Sequence, residues 1–241
     1  MPANRNRYAL VALSAVGALV CAVGAERADA GVVMSISVNN VAVVTNAALG
    51  GPVGGPPIFT YDPDFTQAGV FKLTGDVNMV NIGNTHGMNT PVSIENLSGG
   101  TLNFVITFVG DLTFNPGNTL NWTDSSSWSL GGPDGQTLTT LGFNNPGPDG
   151  DSLWTAMADG VDVNAIWDDP TGLSGSGSSL GVSSENGTIA AINSSIGIRL
   201  SFSLSAGGIA TVSGGFMLTP APGAMALLGM AGLVKNRRRR A

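Results

Sequence analysis

The sequence predicts an all-β fold, a single antiparallel β-sandwich or jelly-roll-like domain, and three observations carry that prediction. Apolar and polar residues alternate. In SSIGIRLSFSLS, Ile196, Ile198, Leu200, Phe202 and Leu204 share one face, while Ser195, Gly197, Arg199, Ser201, Ser203 and Ser205 share the other. That is the period-2 pattern of a strand with one buried and one wet face. Runs of Gly, Asn, Ser and Pro punctuate such stretches throughout the chain, which is turn chemistry. No stretch of the body sustains a helical apolar period, and no blade-length repeat suggests a propeller. Many short strands with such turns bury their apolar faces by stacking two sheets.

Residues 1–30 read as a unit apart. Arg5 and Arg7 precede the apolar run YALVALSAVGALVCAVGA, and the small residues Ala28 and Ala30 flank a cleavage position. This order is that of a secretory signal peptide; an uncut transmembrane helix is the competing reading. Export removes Cys21 with the signal and leaves a mature chain without cysteine, so its core must hold without disulfides.

Residues 31–218 are expected to form the sandwich. The Asn39–Asn40 pair is expected to fold VVMSISV back on VAVVT, because Asn tolerates positive φ. GGPVGGPP from Gly50 reads as a loop. Ser98–Gly100 links VSIEN to TLNFVITFV, in which Leu102, Phe104, Ile106 and Phe108 face one way while Val105 and Val109 face the other. Apolar residues on both faces predict a central strand. GGPDG from Gly131 and NNPGPDGD from Asn144 read as loops, and the serine–glycine stretch from Gly172 as a flexible one. LWTAMADGVDVNAIW fits either a helical turn or a strand. SAGG, at 205–208, is expected to make a hairpin between the Ile196 strand and IATVSGGFML.

Charge narrows the function classes. Between Gly31 and Leu218 stand fourteen Asp and Glu against Lys72 and Arg199 only, which leaves −12 where the whole chain carries −6. Such a surface repels phosphate backbones, which argues against nucleic acid as a partner. His86 is the only histidine and reads as a loop or surface residue, with no nucleophile elbow before it. One imidazole does not make the common zinc sites. The acid pairs Asp62/Asp64, Asp149/Asp151 and Asp168/Asp169 are the only hint of hydrolysis, and the domain is read as non-enzymatic. Calcium is the one candidate cofactor, with Asp149 and Asp151 as first ligands in a loop rich in oxygen donors. Trp122, Trp128, Trp154 and Trp167 all lie in one middle segment beside Asp, Asn and Ser. Those rings either cap the core or offer an aromatic face to a glycan.

The chain closes with TPAPGAMALLGMAGLVKNRRRRA, residues 219–241. Its apolar run, 222–234, is predicted as a short apolar helix, below the ~20 residues of a full span. Lys235, Arg237, Arg238, Arg239 and Arg240 follow, a basic cluster of the kind kept on the cytoplasmic side. The order of proline motif (Pro220, Ala221, Pro222, Gly223), small-residue-rich apolar helix and arginine block resembles the carboxy-terminal sorting signal of exosortase-processed bacterial proteins, PEP-CTERM. Here Ala221 stands where the usual motif has Glu. The resemblance covers the tail only. It implies an exosortase-type membrane protease as partner, removal of the tail, and delivery to the cell surface or extracellular matrix of bacteria that make exopolysaccharide and biofilm. A plain membrane anchor with a stop-transfer cluster competes with it. The leading expectation is a surface- or matrix-delivered structural or interaction protein. A carbohydrate-binding, lectin-like module for exopolysaccharide comes second, and a secreted polysaccharide hydrolase a distant third.

Overall fold

The computed structural model describes residues 31–49, 53–55, 58–82, 85–112, 119–141, 152–167, 171–190, 192 and 194–221. The signal peptide, the C-terminal apolar helix and the arginine cluster expected from the sequence lie outside them. The described residues are all β. In chain order the strands are β1 (Val32–Val38), β2 (Val41–Ala48), β3 (Val53–Gly55), β4 (Ile58–Tyr61), β5 (Phe65–Gln67) and β6 (Phe71–Gly75). There follow β7 (Val77–Ile82), β8 (Thr85–Asn89), β9 (Val92–Asn96), β10 (Leu102–Asp111), β11 (Leu120–Gly131) and β12 (Thr137–Thr139). The last six are β13 (Trp154–Ala158), β14 (Val161–Ile166), β15 (Gly172–Ser174), β16 (Ser179–Ile189), β17 (Ser195–Leu204) and β18 (Ile209–Pro220).

All the described pairings are antiparallel. One sheet runs β14-β13-β17-β10-β1-β2, with β12 beside β17 and β15 beside β12. The other runs β3-β4-β7-β8-β18-β9-β6-β5, with β11 beside β18 and β16 beside β11. The inward rows of both sheets meet in one core. Phe71 of β6 sits edge-on to Phe104 of β10 with centroids 5.4 Å apart. Phe104 stacks on Phe202 of β17 at 5.3 Å. Phe202 meets Trp128 of β11 edge-on at 5.4 Å. This line of rings crosses from one sheet to the other and back, in the tilted geometries that aromatic quadrupoles favour.

The two-residue turn expected at Asn39–Asn40 is formed. Both residues have positive φ, 51° and 63°, and Val38 pairs with Val41, the signature of a type I′ hairpin. β10 is central as its two apolar faces predict, between β1 and β17. LWTAMADGVDVNAIW resolves into β13 and β14 around Asp159–Gly160, whose φ values of 49° and 75° make a second turn of this kind.

Three expectations are corrected. The SAGG segment is no hairpin: β17 belongs to one sheet and β18 to the other. The turn crosses the sandwich edge and is pinned to β9. Asn96 Nδ2 donates to Leu204 O at 2.8 Å, Gly207 N–H donates to Asn96 O, and Asn96 N–H donates to Gly208 O, each at 2.9 Å. Alternation tells which face of each strand is apolar but not which layer the strand joins. The expected wet face of β17 is largely covered, with Gly197 and Ser201 buried. Arg199 Nη2 spans β13 to reach Asp162 Oδ2 of β14 at 2.7 Å. A strand flanked on both sides has neighbours to shield its outward row. Finally, the stretch from Gly172 is built rather than loose. It forms β15, a turn with Gly175 and Gly177 at positive φ, and the start of β16.

Candidate functional site

The four tryptophans do not form one exposed face. Trp122 and Trp128 occupy the inward phase of β11, and Trp128 and Trp154 are 1% and 0% exposed. Trp154 lies between the layers, so close to β18 that a Cβ on Gly214 would come within 2.9 Å of its Nε1. Trp122 is 9% exposed and packs on Gly187, where a Cβ would fall 2.7 Å from the ring. These three rings are core, and a sugar has no access to Trp128 or Trp154. Trp167, half-buried at the end of β14, donates from Nε1 to Ser126 Oγ at 3.0 Å. Its φ of 65° is an uncommon conformation for so bulky a residue.

An acidic cluster unforeseen in the sequence lies where the edges of the two sheets approach. Asp124 of β11 and Glu185 of β16 stand opposite each other. Asn164 Nδ2 of β14 donates to Asp124 Oδ2 at 3.0 Å and to Glu185 Oε2 at 3.1 Å. The Glu185 N–H donates to Asp124 Oδ1 at 3.3 Å. Asp124 is 4% exposed, and burial raises its pKa above the ordinary carboxylate value against these hydrogen bonds, which lower it. One amide fills the space between the two acids, so the arrangement ties β14 to β16 and leaves Asp124 out of a substrate's reach.

The other candidates separate. His86, expected on a loop or the surface, is fully buried in β8. Desolvation lowers its pKa below the usual imidazole value. Asp62 and Asp64 lie between β4 and β5, accepting from the Asp64 N–H at 2.8 Å and, at the end of β6, from the Gly75 N–H at 3.1 Å respectively. Asp149, Asp151, Asp168 and Asp169 lie outside the described residues. Among the described residues no group of three or more His, Cys, Asp or Glu side chains is placed to hold a metal ion. Of the proline motif, Pro220 closes β18 opposite Leu120, and the Ala221 N–H donates to Thr119 O at 3.2 Å. Pro222 and Gly223 lie beyond the described residues.

What the fold builds instead is an open groove of about 640 Å³ on the outer face of the larger sheet, crossing β7, β8, β18, β11 and β16. Val80, Met217 and Val182 give it hydrocarbon surface, and Asn89, Thr123, Ser125 and Ser184 give it amide and hydroxyl groups. Val182 is 77% exposed and Met217 40%. Asp124 is the charged residue among those that line it, and its carboxylate is engaged by Asn164 and the Glu185 amide. The signal for this site was in the outward phase of the strands: Ser125 and Ser127 on β11 and Gly215 on β18, within an otherwise regular alternation.

No protein-family model matches the chain, and no curated protein matches it. Among solved structures, the chain is similar to the TmCBM61 module solved in complex with β-1,4-galactotriose. The identity is 11%, the TM-score 0.23, and the match covers 67% of this chain and 88% of the other.

Proposed function

We propose that this protein is exported, delivered to the cell surface or extracellular matrix, and acts there as a non-enzymatic β-sandwich that binds extracellular polysaccharide. The observation that carries the binding role is the outer-sheet groove, which mixes hydrocarbon flanks with hydroxyls and amides. Carbohydrates present both C–H faces and hydroxyl edges, so recognition takes this mixture of apolar surface and placed polar groups. Two sheets packed over a shared core support the sandwich reading. Export is supported by the N-terminal sequence, and delivery by the tail's likeness to exosortase-sorted proteins. An exosortase-type protease and a transient membrane attachment belong to the same reading.

Affinity electrophoresis of the purified protein in gels containing the host's exopolysaccharide tests this, once with calcium and once with chelator. Polysaccharide-dependent retardation is the expected result. Retardation lost in chelator would make the binding calcium-dependent, and its loss in a variant carrying both Asp149→Ala and Asp151→Ala would place the ion at those two carboxylates. Unchanged migration under both conditions would remove the binding role and leave a displayed structural protein.

A further inference from the structure

Gly215 stands in the middle of β18, where glycine weakens a strand and marks a bulge or a close external approach. Its φ is not among the positive ones. A Cβ there would meet Met88 O at 3.4 Å and Asn89 Cβ and Oδ1 at 3.8 Å, which is ordinary contact. Several other strand glycines have an internal reason, although Gly131 and Gly181 are as unconstrained as Gly215. A Cβ on Gly214 would fall 2.7 Å from Ser125 O, one on Gly187 2.7 Å from Trp122, and one on Gly110 2.5 Å from Met79 Sδ. Neither backbone conformation nor packing requires glycine at 215. Space on the solvent side is the remaining reason. Gly87, one strand away on the same face, deepens the same floor.

The register places Gly215 in a row that crosses four strands: Asn89, Gly215, Ser125 and Ser184. At three places elsewhere on this face polar groups are satisfied within the sheet. Thr60 Oγ1 donates to Asn78 Oδ1 at 2.7 Å, the Ser93 and Thr211 hydroxyls pair at 3.2 Å, and Ser127 Oγ donates to Ser213 O at 3.3 Å. Among the described residues, the side chains of Asn89, Ser125 and Ser184 make no such bond, so their capacity faces outward. At ~4.8 Å per strand the row is about 14 Å long.

We propose that this row is the binding track for a neutral polysaccharide, its chain running across the strands with a sugar face on Gly215 and its hydroxyls on Asn89, Ser125 and Ser184. The inference rests on the polysaccharide-binding reading above and adds the site and the ligand's charge class. Among the described residues that line the groove there is no cation to hold a carboxylated polymer. Arg199 is committed to Asp162 on the other sheet, and the body's acidic excess repels such a polymer.

The test uses the exported protein purified from its host, and neutral and uronate-bearing fractions of the host's exopolysaccharide separated by anion exchange. Wild type should bind the neutral fraction. Gly215→Val should bind it at least tenfold more weakly with an unchanged or higher Tm, since valine suits a strand and its Cβ meets only ordinary contacts. Asn89→Ala, a change of an exposed side chain, should weaken binding at unchanged Tm. Binding of Gly215→Val equal to wild type would refute the track while the polysaccharide reading stood. A Gly215→Val protein that melts earlier would make the glycine structural, and undiminished binding by Asn89→Ala would then refute the track as well. Binding of the uronate fraction alone would refute the neutral class. If neither fraction binds wild type, the reading beneath fails and this inference with it.

Discussion

Asn96 shows how a residue's surroundings decide its meaning. It heads an Asn-Leu-Ser triplet that matches a glycosylation sequon, yet it is fully buried. Its Nδ2 donates to Gly100 O and Leu204 O at 2.9 and 2.8 Å, and its Oδ1 accepts from the Ser98 N–H at 2.9 Å. The triplet is a turn device at the crossing between layers. Gly214 makes the complementary point. Gly214→Ala forces a methyl group against Ser125 O and Trp154, and overpacking of this kind costs about 1–3 kcal/mol. Its urea midpoint is expected to fall, in contrast to Gly215→Val one residue on. His86 adds a pH dependence with a definite sign. Burial lowers its folded-state pKa below the ordinary 6.5, so below 6.5 the unfolded chain binds the proton first. The stability it contributes is complete above 6.5 and is lost as pH falls through the folded-state pKa. Wild-type Tm should decline over that interval more steeply than the Tm of His86→Gln. Parallel profiles would show that His86 titrates alike in both states.

The Asn39–Asn40 turn was the most legible element because its chemistry is local. Asn39 has φ 51°, its N–H donates to Asn103 O at 2.9 Å, and its Oδ1 accepts the Asn103 N–H at 3.0 Å. Asn39→Ala combines a positive-φ penalty with a lost acceptor, an expected cost of about 1–2 kcal/mol. Chemical denaturation should show the loss at an unchanged m-value. The SAGG turn was misread because its four residues suit either a hairpin or a crossing. The choice rests with Asn96, more than a hundred residues away. The choice between core and glycan face for the tryptophans needed the structure for a related reason. Asn121, Thr123, Ser127 and Ser129, which flank two of them in sequence, point out of the other side of the strand, so polar company along the chain says nothing about exposure. Register, by contrast, assembled Asn89, Gly215, Ser125 and Ser184 from four separate strands.

Over the whole molecule, the tail and the body are joined without slack. β18 lies between β11 on one side and β8 and β9 on the other, and it runs on to Pro220, with Ala221 still hydrogen-bonded to Thr119. Under the sorting reading, the Pro220 and Pro222 positions form the protease's recognition motif. Replacing both with alanine should keep the tail on the exported protein, visible as a higher mature mass. An unchanged mature mass would remove the protease from the account. The acidic body bears on the groove as well. Because the described residues lining that site carry no free charge, binding there should vary little with salt, whereas a charge-driven contact would weaken steeply.

By itself the sequence determined the class of fold, the buried phase of its main strands, the tight turn at Asn39–Asn40 and the excess of negative charge. These follow from local periodicity, turn chemistry and composition, none of which needs a distant partner. Tertiary structure alone decided that β17 and β18 join different layers, that His86 and three tryptophans lie inside, and that unpaired polar groups line up beside Gly215. Each of those depends on contacts between residues far apart in the chain. A period-2 pattern fixes the two faces of a strand but leaves its neighbours open.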